Sequence, residues 1–163
     1  MQTRMRRAYL FSVVATSVAV FASTVVGQTS KPHVGTWRLN VAKSKYSPGP
    51  AIKSGTTKID AAGTGVKYTV DQVAADGTVR HYEFTANYDG KDSPVTGNNP
   101  DSDMVAATRV NANTVQLVNK KSGKVTTTQT SVVSPDGKTR TITTKGTNAQ
   151  GQPVNNVVLY ERQ

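Results

Sequence analysis

The stretch GVKYTVDQVAADGTVRHYEFTA, residues 65–86, changes side-chain character at every second residue on both sides of a turn. Val66, Tyr68 and Val70 share one face against Lys67, Thr69 and Asp71. Beyond the turn, Arg80, Tyr82, Phe84 and Ala86 share a face, with His81, Glu83 and Thr85 opposite. A period of two is that of a half-buried strand. Between the two strands, Asp76-Gly77 readily takes the positive φ angles of a tight hairpin. Similar punctuation returns at Asp89-Gly90, at KSGK (121–124) and at SPDGK (134–138), with NAN (111–113) and NAQGQP (148–153) as further breaks. Strands are therefore predicted near 34–41, 54–60, 65–73, 78–87, 91–95, 103–110, 113–120, 124–133, 137–145 and 153–162.

This pattern predicts an all-β fold without an amphipathic helix. Short connections make an antiparallel meander, and closing it removes both unpaired edges. An up-and-down β-barrel of about 8 to 10 strands is the expectation, with a Greek-key sandwich as the alternative. The irregular segment YDGKDSPVTGNNPDSD, residues 88–103, is expected to be a rim loop.

The N-terminus has its own signature. Arg4, Arg6 and Arg7 precede an uncharged stretch from Ala8 to Val26, and small residues follow, the order of a secretory signal. Cleavage is expected before Gln28, with a cut after Ala22 as a second option and an uncleaved membrane anchor as the rival reading. The domain division is a signal peptide over 1–27 and one barrel domain over 28–163, with no stable membrane anchor after cleavage. The leader holds three of the 20 basic residues and none of the 10 acidic ones, so the remainder carries 17 against 10, a net +7. With no cysteine, the chain can form no disulfide and cannot be a lipid-anchored bacterial lipoprotein, which leaves a periplasmic or secreted protein.

The two ends of the predicted barrel carry a resemblance. VGTWRL (34–39) holds the only tryptophan, and VLYERQ (158–163) ends the chain. Together they resemble the calycin superfamily, meaning lipocalins and especially the intracellular fatty-acid-binding proteins. Those barrels begin with a Gly-x-Trp strand and end with an arginine that packs over the indole. The resemblance implies that Gly35, Trp37 and Arg162 form a structural plug at one end, where an indole under a guanidinium supplies apolar area and a cation–π contact. Departures matter as well. Aligning on LYER puts Tyr160 at the tyrosine of the family's Arg-x-Tyr carboxylate clamp but Val158 at its arginine, so a fatty-acid ligand does not carry over. Residues 42–54, AKSKYSPGPAIKS, are too short and proline-rich for the family's helical lid, and an open or loop-covered mouth is expected.

A catalytic centre needs convergent groups, and the inventory is thin: His33, His81, two glutamates, eight aspartates and no cysteine. His33 falls in the lead-in to the first strand, expected to be disordered. His81 and Glu83 lie two apart on one face, spaced for an acid–base pair but better explained as an exposed polar face. His81 alone is poor grounds for haem, and Asp101 and Asp103 lack the rest of a calcium loop. No catalytic residue, metal or cofactor is expected. Lys and Arg are scattered over nearly every strand, which argues for a solvated exterior and against a specific nucleic-acid partner. Affinity for anionic envelope polymers would follow from charge alone.

KVTTTQTSVV and KTRTITTKG place threonine on both faces of adjacent strands. Either threonine suits a solvent-facing sheet, the preferred reading, or it lines a wet cavity in which hydroxyls and Arg140 meet a partly polar ligand. The functional expectation is an exported, non-enzymatic, monomeric barrel holding a small hydrophobic or amphipathic molecule. Tyr68, Tyr82, Phe84 and Tyr160 are the candidate apolar contacts, with Arg109 or Arg140 as polar anchor. The alternative is an envelope interaction or structural protein whose barrel is filled by its own side chains.

Overall fold

The computed structural model describes residues 31–163 apart from Ala149, so the signal-peptide reading of 1–27 lies outside the described residues. Alternation in the sequence becomes alternation in burial. In Gly65–Val73, Val66, Tyr68 and Val70 are buried, while Lys67 and Asp71 are exposed. Among the described residues there are eleven strands and no helix: β1 (Gly35–Lys45), β2 (Ser54–Ala62), β3 (Gly65–Val73), β4 (Val79–Ala86), β5 (Asp89–Pro94), β6 (Thr96–Gly97), β7 (Met104–Arg109), β8 (Thr114–Lys121), β9 (Lys124–Val133), β10 (Thr139–Thr147) and β11 (Pro153–Arg162). All are antiparallel to their partners in one sheet of order β5-β7-β8-β9-β10-β11-β1-β2-β3-β4-β6, which curls into a nearly closed barrel.

Two expectations need correction. The strand count is eleven among the described residues, above the expected eight to ten, because Thr96–Gly97 forms a short strand inside the presumed rim loop. The order also departs from a simple up-and-down ring. Residues 89–97 change partner midway: β5 pairs with β7, and β6 crosses to pair with β4. Asn98 explains the crossing. Its backbone N–H donates to His81 O (2.9 Å), its side-chain oxygen accepts from His81 N–H (2.5 Å), and its Nδ2 donates to Val79 O (2.9 Å). Gly97 sits at φ +100° with no room for a Cβ against the His81 carbonyl, so only glycine brings the chain this close. Pro94, which has no N–H to donate, lies on the edge strand β5, where no further strand needs it.

The first and last strands meet at the opposite seam. In the β1–β11 ladder Trp37 stands opposite Arg162, and the Arg162 guanidinium lies 4.1 Å from the centre of the indole, which is wholly buried. The same guanidinium donates to Val34 O (2.7 Å), Pro32 O (2.6 Å) and Gly137 O (2.6 Å). Gly35 has φ +136°, and a Cβ there would collide with Arg162 Nη1, which gives the glycine of the Gly-x-Trp motif its physical role.

His33 corrects a further expectation, for the lead-in to β1 is ordered and the imidazole is 1% exposed. Trp37 Nε1 donates to His33 O (2.8 Å), and His33 Nε2 meets Asn113 O at 3.1 Å. The segment before β1 is thus held from both sides. Around this plug Ile59, Val66, Val105, Val115 and Val133 are almost fully buried and close one end of the barrel.

Replacing Trp37 by alanine removes the largest part of this packing and is expected to cost about 3 to 5 kcal/mol in urea unfolding. An unchanged denaturation midpoint would show that the indole does not close the barrel.

Candidate functional site

Inward positions change character along the barrel. Above the apolar plug, successive inward residues read Arg140, Ile142 and Thr144 on β10, Tyr160, Val158 and Asn156 on β11, and Tyr68, Val70 and Gln72 on β3. They line an internal cavity of about 390 Å³. Phe84 and Tyr82 from β4, Thr57 from β2, Leu117 and Asn119 from β8, and Thr127 and Gln129 from β9 complete its wall. Residues 46–52, including Tyr46, Pro48, Pro50 and Ile52, lie at the mouth with the β10–β11 turn and the loop before β7. Loops thus border the mouth, where an open or loop-covered entrance is expected from the proline-rich segment, and Ser47-Pro48 and Gly49-Pro50 are both cis.

Arg140 is the most unusual group on this surface. It is 2% exposed, stands opposite Tyr160 in the β10–β11 ladder, and its guanidinium carbon lies 5.7 Å from the Tyr68 ring centre and 5.9 Å from that of Tyr160. Nε donates to Ser131 Oγ at 2.7 Å, whereas Nη1 is buried without an acceptor. None of the ion pairs among the described residues includes Arg140. Asp101, in the loop before β7, is the only carboxylate on the cavity lining among the described residues. A second unpartnered polar atom, Tyr46 Oη, is buried at the mouth. Burial pushes the Tyr46, Tyr82 and Tyr160 phenols above their ordinary range, so all three are neutral hydroxyls at physiological pH.

The candidate residues divide. Tyr68, Tyr82, Phe84, Tyr160 and Arg140 share the cavity wall. Tyr68 and Phe84 stack with ring centres 4.5 Å apart. Arg109 is not on that wall; its guanidinium carbon lies 4.3 Å from the centre of the Tyr88 ring, whose hydroxyl meets that of Tyr68 at 3.3 Å. Thr127 and Thr144 do line the cavity. Gln72, Asn119 and Gln129 are cavity residues that the alternating pattern did not flag, because a polar side chain in a strand reads as solvent-facing unless its register is known.

His81 and Glu83 do not form a pair. His81 Nδ1 meets Asp71 Oδ1 at 2.7 Å, while Glu83 takes Lys67 Nζ at 2.8 Å and Thr69 Oγ1 at 3.1 Å. All three partners come from β3, on the outer face, and no group of three metal-ligating side chains converges among the described residues. A smaller hollow of about 230 Å³ lies at the β4 seam, against Ser93, Pro94 and Thr96, and Phe84 lines both spaces.

Compared with known proteins, the chain matches no family model, and no curated protein matches it.

The plug beneath the cavity has a titration signature. Burial, reinforced by the positive charges of Arg140, Arg109 and Arg162, lowers the His33 pKa from 6.5 to about 4. With Nε2–H donating to Asn113 O, Nδ1 is bare, and a proton placed there would find no acceptor. Below pH 6.5 the unfolded chain takes up a proton that the folded chain refuses until about pH 4. Stability contributed by neutral His33 is therefore complete above pH 6.5 and falls through that window, by up to about 3 kcal/mol. Melting temperature measured from pH 7.5 to 4.5 should decline in the wild type and be much flatter in His33→Gln; parallel profiles would contradict the assignment.

Proposed function

We propose that this protein is an exported, calycin-like β-barrel that binds a small, partly apolar molecule in its interior and performs no catalysis. The observation that carries the reading is the internal cavity, about 390 Å³ in volume, walled by four aromatic rings from the candidate set and reached by one buried guanidinium. Volumes of this order suit small-molecule sites, in which apolar walls supply affinity and a few placed polar groups set orientation. An open interior favours a ligand carrier over the filled-barrel alternative, since a scaffold alone would gain more from close packing. The plug of Gly35, Trp37 and Arg162 supports the calycin resemblance, and the basic and then uncharged order of residues 4–26 supports export.

Protein purified from its own host and sprayed under native conditions should carry a reproducible adduct of about a few hundred daltons, the size such sites accept. The adduct should leave on denaturation and should be lost when Tyr82→Trp or Val158→Trp fills the space. Bare mass, together with no response of the folded protein to small polar or apolar probes, would end the carrier reading.

A further inference from the structure

Resting on interior binding, the polarity of the cavity says more about its occupant. We propose that Arg140 is an anion-binding residue and that the ligand is a small hydroxylated carboxylate of sugar-acid type, bound with its acid group toward Arg140. The first ground is the state of that arginine. An ionised guanidinium taken from water into a protein interior needs hydrogen-bond acceptors and a counter-charge. Arg140 has one neutral acceptor, Ser131 Oγ, and two tyrosine rings near the limit of cation–π range. Its Nη1 is buried and unpartnered, and no ion pair among the described residues compensates it. A guanidinium fork binds a carboxylate through parallel N–H donors. A bound carboxylate would supply both missing elements.

The second ground is the wall. A hydrocarbon tail running from Arg140 to the mouth would lie against the Gln129 amide, the Asn119–Thr127 hydrogen-bonded pair and Gln72, which bonds Tyr160, and could use none of the polar capacity those groups have left. Tyr46 Oη, buried and unpartnered at the mouth, would remain so. Hydroxyl groups along the ligand body answer each of these side chains, because an O–H both donates and accepts. The aromatic faces of Tyr82 and Phe84 accept the C–H faces of such a ring. The unusual pairing in this interior is thus a buried cation at one end, amides and hydroxyls along the sides, and aromatic surface between them.

Wild-type protein, freed of any co-purified ligand by unfolding and refolding, should be titrated calorimetrically with D-glucuronate, D-glucose and decanoate. The expected order is glucuronate at least tenfold tighter than glucose, because the acid is missing from the latter, and tighter than decanoate, because the wall is polar. Arg140→Gln should weaken glucuronate at least tenfold while leaving the ligand-free melting temperature unchanged or higher, since an uncompensated buried charge has been removed. Gln129→Leu should weaken glucuronate and strengthen decanoate.

Equal affinity for glucuronate and glucose, tighter decanoate, or failure of glucuronate to bind would overturn the proposal; none of these comparisons needs a variant. Undiminished glucuronate binding in folded Arg140→Gln would overturn it too. If decanoate or glucose binds in the cavity and glucuronate does not, interior binding survives and the anion assignment falls. Bare mass from the host with no probe bound removes both.

Discussion

A single guanidinium joins the first and last strands of this barrel. Arg162 covers Trp37, and its nitrogens hold three backbone carbonyls from the lead-in to β1 and from the β9–β10 turn. That contact fixes the first strand beside the last, orders the segment carrying His33, and seals one end with apolar side chains. Everything above depends on the seal. With one end closed, the inward positions farther along the strands face the barrel interior, and their chemistry becomes that of a cavity.

Arg162 and Arg140 therefore have opposite roles. Arg162 sits at the rim with its donors satisfied, and its charge stays in contact with solvent while its flat face packs on the indole. Arg140 is buried with a donor left over, and its field is one reason that His33 resists protonation. Groups that a fold does not need, and that leave polar atoms unpaired, mark places where stability has been set against another requirement. The same barrel thus contains one cation whose donors are all used in building it and one that is buried with a donor unpaired.

Much of this was legible in the sequence, for reasons that can be named. Period-two alternation correctly turned Tyr68, Tyr82, Phe84 and Tyr160 inward, because in a strand the facing direction of one residue fixes that of its neighbours two away. Arg140 follows from the same rule, two residues before Ile142. Depth along the barrel is not encoded in alternation, so Arg109, at the end of β7, was indistinguishable from Arg140. Nor is partner choice, which is why the crossing at Thr96–Gly97 was hidden within a segment rich in turn residues. His33 was misplaced in a disordered lead-in because its order comes from Arg162 and Asn113, which are 129 and 80 positions away along the chain.

The segment from Asp89 to Gly97 gives the barrel an uneven wall. Its two open edges, β5 and β6, are consecutive in the chain, and the link between them is the residue at position 95. β4 meets β6 through two residue pairs, compared with eight between β3 and β4. A fluctuation that parts this line breaks few backbone hydrogen bonds and leaves the β1–β11 seam untouched. Amide protons along this side should therefore be the first of the wall to exchange with solvent, and breathing of the barrel is directed to the place where Phe84 alone has space on both sides.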